Sequence, residues 1–321
     1  MKEFQPLALF VVGPTASGKS ALALTIAERL GGAIINADSM QLYRELRIIT
    51  ARPSAADEAR APHLLYGVRE AAEAASVAWW RDAALKTMEE THAVGRLPII
   101  CGGTGMYCAA LTRGLAAIPP IPAPAREEAR RLLAEEGPAA LHARLAAEDP
   151  ASAARLRPSD SQRIARAYEV WRGTGRGIAA WQAEASAAPA PWRFTAILLD
   201  PPRDRLRAAI AKRWAAMMAE GAVAEVQALL AQGLDPTLPA MRALGVPEIA
   251  GLLAGQMTAE EASARAILAS GQYTKRQATW FRHHELAPPE RTYIINARFE
   301  GFAQFSESES ANFFAFLDFC R

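Results

Sequence analysis

Three cysteines in 321 residues (Cys101, Cys108 and Cys320) are too few and too irregularly spaced for a disulfide framework or a paired metal-ligand pattern. A reduced, cytoplasmic setting is expected. The five histidines show no metal-ligand spacing, so no zinc site is expected. No apolar run approaches the roughly 18 residues needed to cross a bilayer, and no membrane association is expected. The start, MKEFQPLALFVVG, carries one lysine and passes straight into an apolar run, which is not the pattern of a secretory leader. Charge of one sign is also lacking: 36 Lys and Arg against 34 Asp and Glu leave a net +2. Global charge therefore gives no argument for nucleic acid, and any such argument must rest on local patches. What is present, 51% hydrophobic and 22% charged residues, suits a globular protein of one large or two smaller domains.

The stretch FVVGPTASGKSALALTIAERL places Gly13, Gly18, Lys19 and Ser20 in the spacing of a phosphate-binding loop. The apolar run Leu7–Val12 before it reads as a buried strand, and Ala21–Leu30 after it as a helix. Glycines let successive N–H groups turn inward, and the helix start adds partial positive charge. Lys19 supplies a mobile cation, and the Ser20 hydroxyl can ligate Mg²⁺. The segment Gly13, Pro14, Thr15, Ala16, Ser17, Gly18, Lys19, Ser20 therefore reads as a polyphosphate site. The loop alone does not separate a triphosphate from a diphosphate.

Further short strands are expected at Ala33–Asn36, Pro98–Cys101, Thr195–Leu199 and Thr292–Ile295, with helices between most of them. Such alternation predicts an α/β fold, a parallel sheet flanked by helices of the P-loop NTPase-like kind, with ligands at the carboxyl ends of the strands. It breaks between two proline-rich seams, GLAAIPPIPAPA and EASAAPAPW, where only helical patterns appear. The expected division is a core of residues 1–115 and 190–300, an all-helical insertion of 116–189, and a tail of 301–321. The tail, a Ser/Glu tract followed by phenylalanines, fits either a packed helix or a frayed end.

Other constellations surround this frame. Asp38 follows the second strand, where it serves equally as a helix N-cap, a base, a substrate anchor or a group behind magnesium. The third long strand ends in Gly102-Gly103-Thr104-Gly105 and not in the aspartate that usually holds the magnesium of a triphosphate. In PSDSQRIARAYEVWRGTG, Ile164, Ala167, Tyr168 and Trp171 form an apolar stripe, with Gln162, Arg163 and Arg166 towards the other face. Those three suit a phosphate backbone or a base edge as well as plain solvent. In the 203–218 helix, Arg203, Arg207 and Arg213 point away from the Leu206, Ile210, Met217 stripe. Lys275, Arg276, Thr279, Arg282 and His283 share one side of a second basic helix, with Trp280 and Phe281 towards the core.

Taken in order, GPTASGKS, INADSMQLYREL, ITARP, PHLL, IICGGTGMY, SDSQRIARAYEV and TKRQATWFR resemble the bacterial tRNA dimethylallyltransferases, from about Leu7 to Arg282. The resemblance implies an enzyme that moves a dimethylallyl group from dimethylallyl diphosphate to the exocyclic amine of the adenosine 3′ of the anticodon. The phosphate loop would hold the diphosphate with Mg²⁺ at Ser20. Asp38, Thr104 and Arg213 would form the catalytic set, Asp38 as base and Arg213 on the diphosphate. The tRNA anticodon stem-loop would meet the DSMQ segment (Asp38, Ser39, Met40, Gln41) and Thr104. The insertion would add Arg126, Gln162, Arg163, Ile164, Ala165 and Arg166, and the second basic helix Lys275, Arg276, Gln277 and Arg282. A monomer is expected.

The chain departs from the family pattern at Ile49 and Arg52, where a glycine and a lysine are usual, and at Val246, Pro247 and Ala209. Contacts at the last three are not carried over. Three other readings compete: an ATP-dependent small-molecule kinase of the same fold, a prenyltransferase acting on free AMP or ADP, and a non-catalytic RNA-binding module. The kinase leaves the GGTG turn and the basic helices without a role.

Overall fold

The computed structural model describes residues 5–184 and 188–320. Residues 1–4, 185–187 and 321, which include part of the second proline-rich seam and the ends of the expected core and tail, lie outside them. The contacts divide the chain into two compact units: Met1–Thr112 with Ala190–Arg321, and Arg113–Pro189.

The first unit holds a sheet of six strands: β1 (Leu7–Val12), β2 (Gly32–Asn36), β3 (His63–Leu64), β4 (Leu97–Gly102), β5 (Arg193–Leu199) and β6 (Thr292–Ile295). All neighbours are parallel, in the order β3-β2-β4-β1-β5-β6. Both faces are covered, which is why the strands read as continuous apolar runs instead of alternating ones. Phe10, Ile35 and Ile100 pack on one face with Trp80 and Met88. Leu9, Val11, Ile34 and Ile99 pack on the other with Leu22 and Ile26. Register pairs Val12 with Gly102 and with Leu198, so the loops after β1, β4 and β5 leave the sheet at one level.

The Lys19–Leu30 helix follows β1 and stops at Gly31, whose left-handed φ of 65° suits the residue past a helix end. No helix follows Asp38, so the capping role is ruled out there. The chain runs in turns until the Ala55–Arg60 helix. The tail is the packed alternative: helix Glu307–Cys320 buries Phe313 and Leu317 in the second face of the sheet. The departures from the family pattern also have structural places. Val246 is buried at the start of the Val246–Leu253 helix, and Pro247 sits in its first turn, where a missing N–H costs nothing. Ile49 lies in the same apolar cluster.

The second unit is helical. Its longest element, Ala123–Glu148, is kinked at Gly137 (φ 80°) just before Pro138. It packs against Ser161–Thr174 through Leu132, Leu141, Leu145, Ile164 and Tyr168, which form a core of their own.

Candidate active site

The loop after β1 is shaped by its backbone. Gly18 has a φ of 89°, and a Cβ there would collide with the Phe299 carbonyl. The Ser17 amide donates to the Pro14 carbonyl at 3.2 Å, and Lys19 Nζ donates to the same oxygen at 3.3 Å. Burial pushes the Lys19 pKa below its ordinary value, the Asp38 carboxylate opposes that shift, and the Arg213 guanidinium adds to it. An ammonium held this way gains from any anion that enters the loop.

Asp38 is fixed by its own segment. The buried Asn36 side chain accepts from the Asp38 amide at 2.8 Å and donates to the Asp38 carbonyl at 3.0 Å. Asp38 Oδ1 then accepts from the Met40 amide at 3.0 Å, closing a turn. The rest of the carboxylate is half-exposed, and its charge is felt at Lys19, Arg213, Tyr107 and Tyr273.

Thr104 adjoins it. Its Oγ accepts from the Ser39 amide at 3.0 Å, and its own amide donates to the Ala37 carbonyl at 3.1 Å. The glycines around it serve close approach. A Cβ on Gly102 would strike the Ala37 backbone, and one on Gly105 the Trp280 ring. What approaches is therefore the chain itself.

Gln41 and Arg213 meet at one oxygen. Gln41 Nε2 donates to the Thr50 and Ala51 carbonyls, both at 2.9 Å, and Arg213 Nη2 donates to the Thr50 carbonyl at 3.1 Å. Arg213 thus turns towards the site, whereas its helix position alone suggests an outward reach. Burial lowers its pKa and Asp38 raises it. Thr50 belongs to a turn held by Glu225, which accepts from the Arg47, Ile48 and Ile49 amides at 2.8–2.9 Å.

The RNA candidates separate by exposure. Arg126, Gln162, Arg163 and Arg166 are exposed on the helical unit, as are Lys275 and Arg276 on the Ala259–Arg282 helix. Two expectations need correction. Ile164 is fully buried in the helical unit's core, so its side chain cannot meet RNA. Gln277 is only 4% exposed: its Oε1 accepts from the Thr15 amide at 2.8 Å and its Nε2 donates to the Gly103 carbonyl at 3.0 Å. Arg282 makes a two-pronged pair with Asp200 at 2.7 and 2.8 Å and stays half-exposed beside it. Ala165 is partly buried.

Sequence reasoning also missed three residues. Asn36 had no signal beyond its place at the strand end. Tyr273, whose hydroxyl lies near Thr104 and Gln277, is one helical turn before Gln277. Burial pushes its pKa to about 12, so it stays neutral. Arg298, discussed below, lies beyond every quoted motif.

At the end of β4, where a triphosphate hydrolase carries an acid, stands Cys101. Burial pushes its thiol up to about 11 despite the nearby Lys19. No group of three or more His, Cys, Asp or Glu that could hold a metal occurs among the described residues.

A family model described as IPP transferase matches residues 41–284, and one described as isopentenyl transferase matches residues 7–66. The tRNA dimethylallyltransferase of Granulibacter bethesdensis is 58% identical over 310 residues, 97% of each chain. That of Gluconacetobacter diazotrophicus is 59% identical over 309 residues, 96% of this chain and 93% of its own. Among solved structures, the full-length tRNA isopentenylpyrophosphate transferase of Bacillus halodurans superposes with a TM-score of 0.68 at 31% identity, covering 99% of this chain and 98% of its own. A eukaryotic dimethylallyltransferase acting on tRNA shares the fold, with a TM-score of 0.78 at 22% identity, over 95% of this chain and 77% of its own. None of these relatives is a kinase.

Proposed function

The chain belongs to the IPP transferase family of prenyltransferases, and on that premise we propose that it transfers a dimethylallyl group from dimethylallyl diphosphate to the exocyclic amine of the adenosine 3′ of the anticodon in certain tRNAs. The observation that carries this reading is the grouping around Asp38. The Asp38 carboxylate is near enough for its charge to act on two partly buried cations, Lys19 and Arg213, and the next residue, Ser39, is hydrogen-bonded through its amide to Thr104.

An adenine amine is a weak nucleophile because its lone pair is drawn into the ring. As it attacks the allylic carbon, the N–C bond forms and the C–O bond to diphosphate breaks, with the bonding pair leaving on oxygen. The nitrogen then sheds a proton, which Asp38 accepts, a contribution of roughly 10²–10⁴ in rate. The inward amides of the phosphate loop, Lys19 and Arg213 meet the charge that grows on the diphosphate. The lack of an acid at the β4 end agrees with this chemistry, since no triphosphate has to be split.

A magnesium ion brought in by the diphosphate would take Ser20 Oγ as one oxygen ligand, with phosphate oxygens and water as the others. Bound there, the ion would neutralise charge on the leaving group.

The target base must leave its stack, which costs a few kcal/mol and least in a single-stranded loop. Exposed arginines of the helical unit and Lys275 and Arg276 of the core are the proposed backbone contacts of the anticodon stem-loop. A monomer working in the cytoplasm is sufficient for this scheme.

The test is direct. Purified protein, dimethylallyl diphosphate, Mg²⁺ and tRNA should give a nucleoside heavier by one dimethylallyl group, with diphosphate released and no ATP consumed. Turnover of ATP with no prenylated nucleoside would restore the kinase reading. Free AMP accepted as readily as tRNA would favour the mononucleotide alternative.

A further inference from the structure

A loop that points its N–H groups at an anion must point its carbonyls away from it, and each buried outward carbonyl needs a donor. Here two of those donors come from one distant segment. Arg298 Nε donates to the Ala16 carbonyl at 3.0 Å, and the Phe299 amide donates to the Ser17 carbonyl at 2.9 Å. Between them the backbone is left-handed at a non-glycine residue, Ala16 (φ 66°), a strained conformation that persists only when its surroundings hold it. The same segment lies against Gly18, where any Cβ would strike Phe299.

The segment is itself a closed strap. Gln304 Nε2 donates to the Arg298 carbonyl at 2.9 Å, Gln304 Oε1 accepts from the Glu300 amide at 2.7 Å, and Arg298 pairs with Glu300. Phenylalanines anchor it. Phe299 is 3% exposed and packs edge-on against Phe302, which meets Phe313 and Phe314 of the C-terminal helix. Arg29 of the helix that follows the phosphate loop lies over the Phe314 ring at 3.8 Å. The phenylalanine-rich tail thus ties the strap to the helix that the loop begins. In front of the strap, Arg298 shares a groove with Arg205, Lys212 and Arg213, four cations to the single carboxylate of Glu300.

We propose that Arg298 is a positioning residue of the donor site: by holding the Ala16 carbonyl outward, it sets the phosphate loop in the form that binds the diphosphate of the prenyl donor. The strap lies outside the residues matched by either family model. The proposal rests on the reading of the loop as a diphosphate site.

The test uses the full chain and inorganic diphosphate with Mg²⁺, measured by calorimetry, together with KM values for dimethylallyl diphosphate and tRNA. Arg298→Ala removes the donor. Arg298→Gln removes the charge but keeps an N–H the same number of bonds from the backbone as Arg Nε. Arg298→Ala should weaken diphosphate binding and raise the donor KM about tenfold, an effect of the size expected for one charge-assisted hydrogen bond, with the tRNA KM unchanged. Arg298→Gln should recover to within about threefold of wild type, because the hydrogen bond and not the charge is the working part. Equal losses in both variants would assign the effect to charge and overturn the positioning role, as would losses shared with tRNA binding and melting temperature. Unchanged diphosphate binding in Arg298→Ala would overturn the strap's role alone. A wild-type chain that binds no diphosphate would overturn the reading of the loop, and the strap's role with it.

Discussion

The Oε1 atom of Gln277 lies 2.8 Å from the amide nitrogen of Thr15, so a helix some 260 residues along the chain closes one side of the phosphate loop. The other end of the same side chain donates to Gly103, beside the threonine turn. One amide therefore ties the loop that holds the donor to the turn proposed to meet the acceptor. Gln277→Ala leaves a part-buried N–H and a buried C=O without partners, the buried one worth about 1–3 kcal/mol. The expected result is a melting temperature lower by several degrees and turnover reduced at least tenfold. Gln277→Glu, which keeps the acceptor for Thr15 and loses the donor for Gly103, should fall between. Wild-type kinetics in Gln277→Ala would show that the two loops hold their places without it.

Asp38→Asn preserves the oxygen that accepts from Met40, and with it the turn around Asn36. It removes the base. Turnover should fall by roughly 10²–10⁴ while tRNA affinity stays within about threefold. If binding collapses as far as turnover does, Asp38 is an anchor for the acceptor and the proton leaves by another route.

The strand set was legible because parallel strands covered on both faces become unbroken apolar runs. Leu7–Val12 and Thr292–Ile295 were bounded correctly, and three other strands to within a residue or two. Strand β3, two residues at the sheet edge, buries too little to leave a pattern. Side-chain direction was harder to see. Ile164 belongs to the stripe that fills the helical unit, yet Gln162, Arg163 and Arg166 in the same SQRIARA run are exposed, and a motif carried over as a block hides that alternation. Gln277 is polar and sits among basic residues, so it reads as outward. Its burial depends on Thr15 and Gly103, two loops that only the tertiary structure brings together. Asn36, Glu225 and Arg298 act on backbone groups, which carry no side-chain signature in a sequence.

Lys19 gives the ligand-free protein a pH signature. Burial holds its pKa below the ordinary 10.5, so the unfolded chain binds more protons than the folded one between the lowered value and 10.5. Stability should therefore rise as pH rises through that interval, and the penalty of the buried charge is fully present below it. Lys19→Met should abolish the rise and melt no lower than wild type near neutral pH without ligand. Diphosphate gives the ammonium an anionic partner, so its affinity should weaken as pH climbs through the same interval. Melting curves with and without diphosphate across the alkaline range test both statements. A steeper rise in Lys19→Met than in wild type would contradict them.

Arg163 and Arg166 lie on the exposed side of the Ser161–Thr174 helix, each with only a surface carboxylate for company, Asp160 at 3.4 Å and Glu169 at 2.6 Å. Surface pairs of this kind contribute about 0–1 kcal/mol, so truncation should leave the helical unit folded. Its core rests on Leu132, Leu141, Ile164 and Tyr168, which neither arginine supports. What truncation removes is positive charge available to phosphate. If each arginine neutralises one phosphate, each alanine variant should lower the slope of log K against log salt by about 0.7–0.9. tRNA affinity should fall, the KM for dimethylallyl diphosphate should not move, and turnover at saturating tRNA should be kept. A double variant whose salt slope matches wild type would remove this helix face from the RNA interface and leave Arg126 of the helical unit and Lys275 and Arg276 of the core as the remaining proposed contacts.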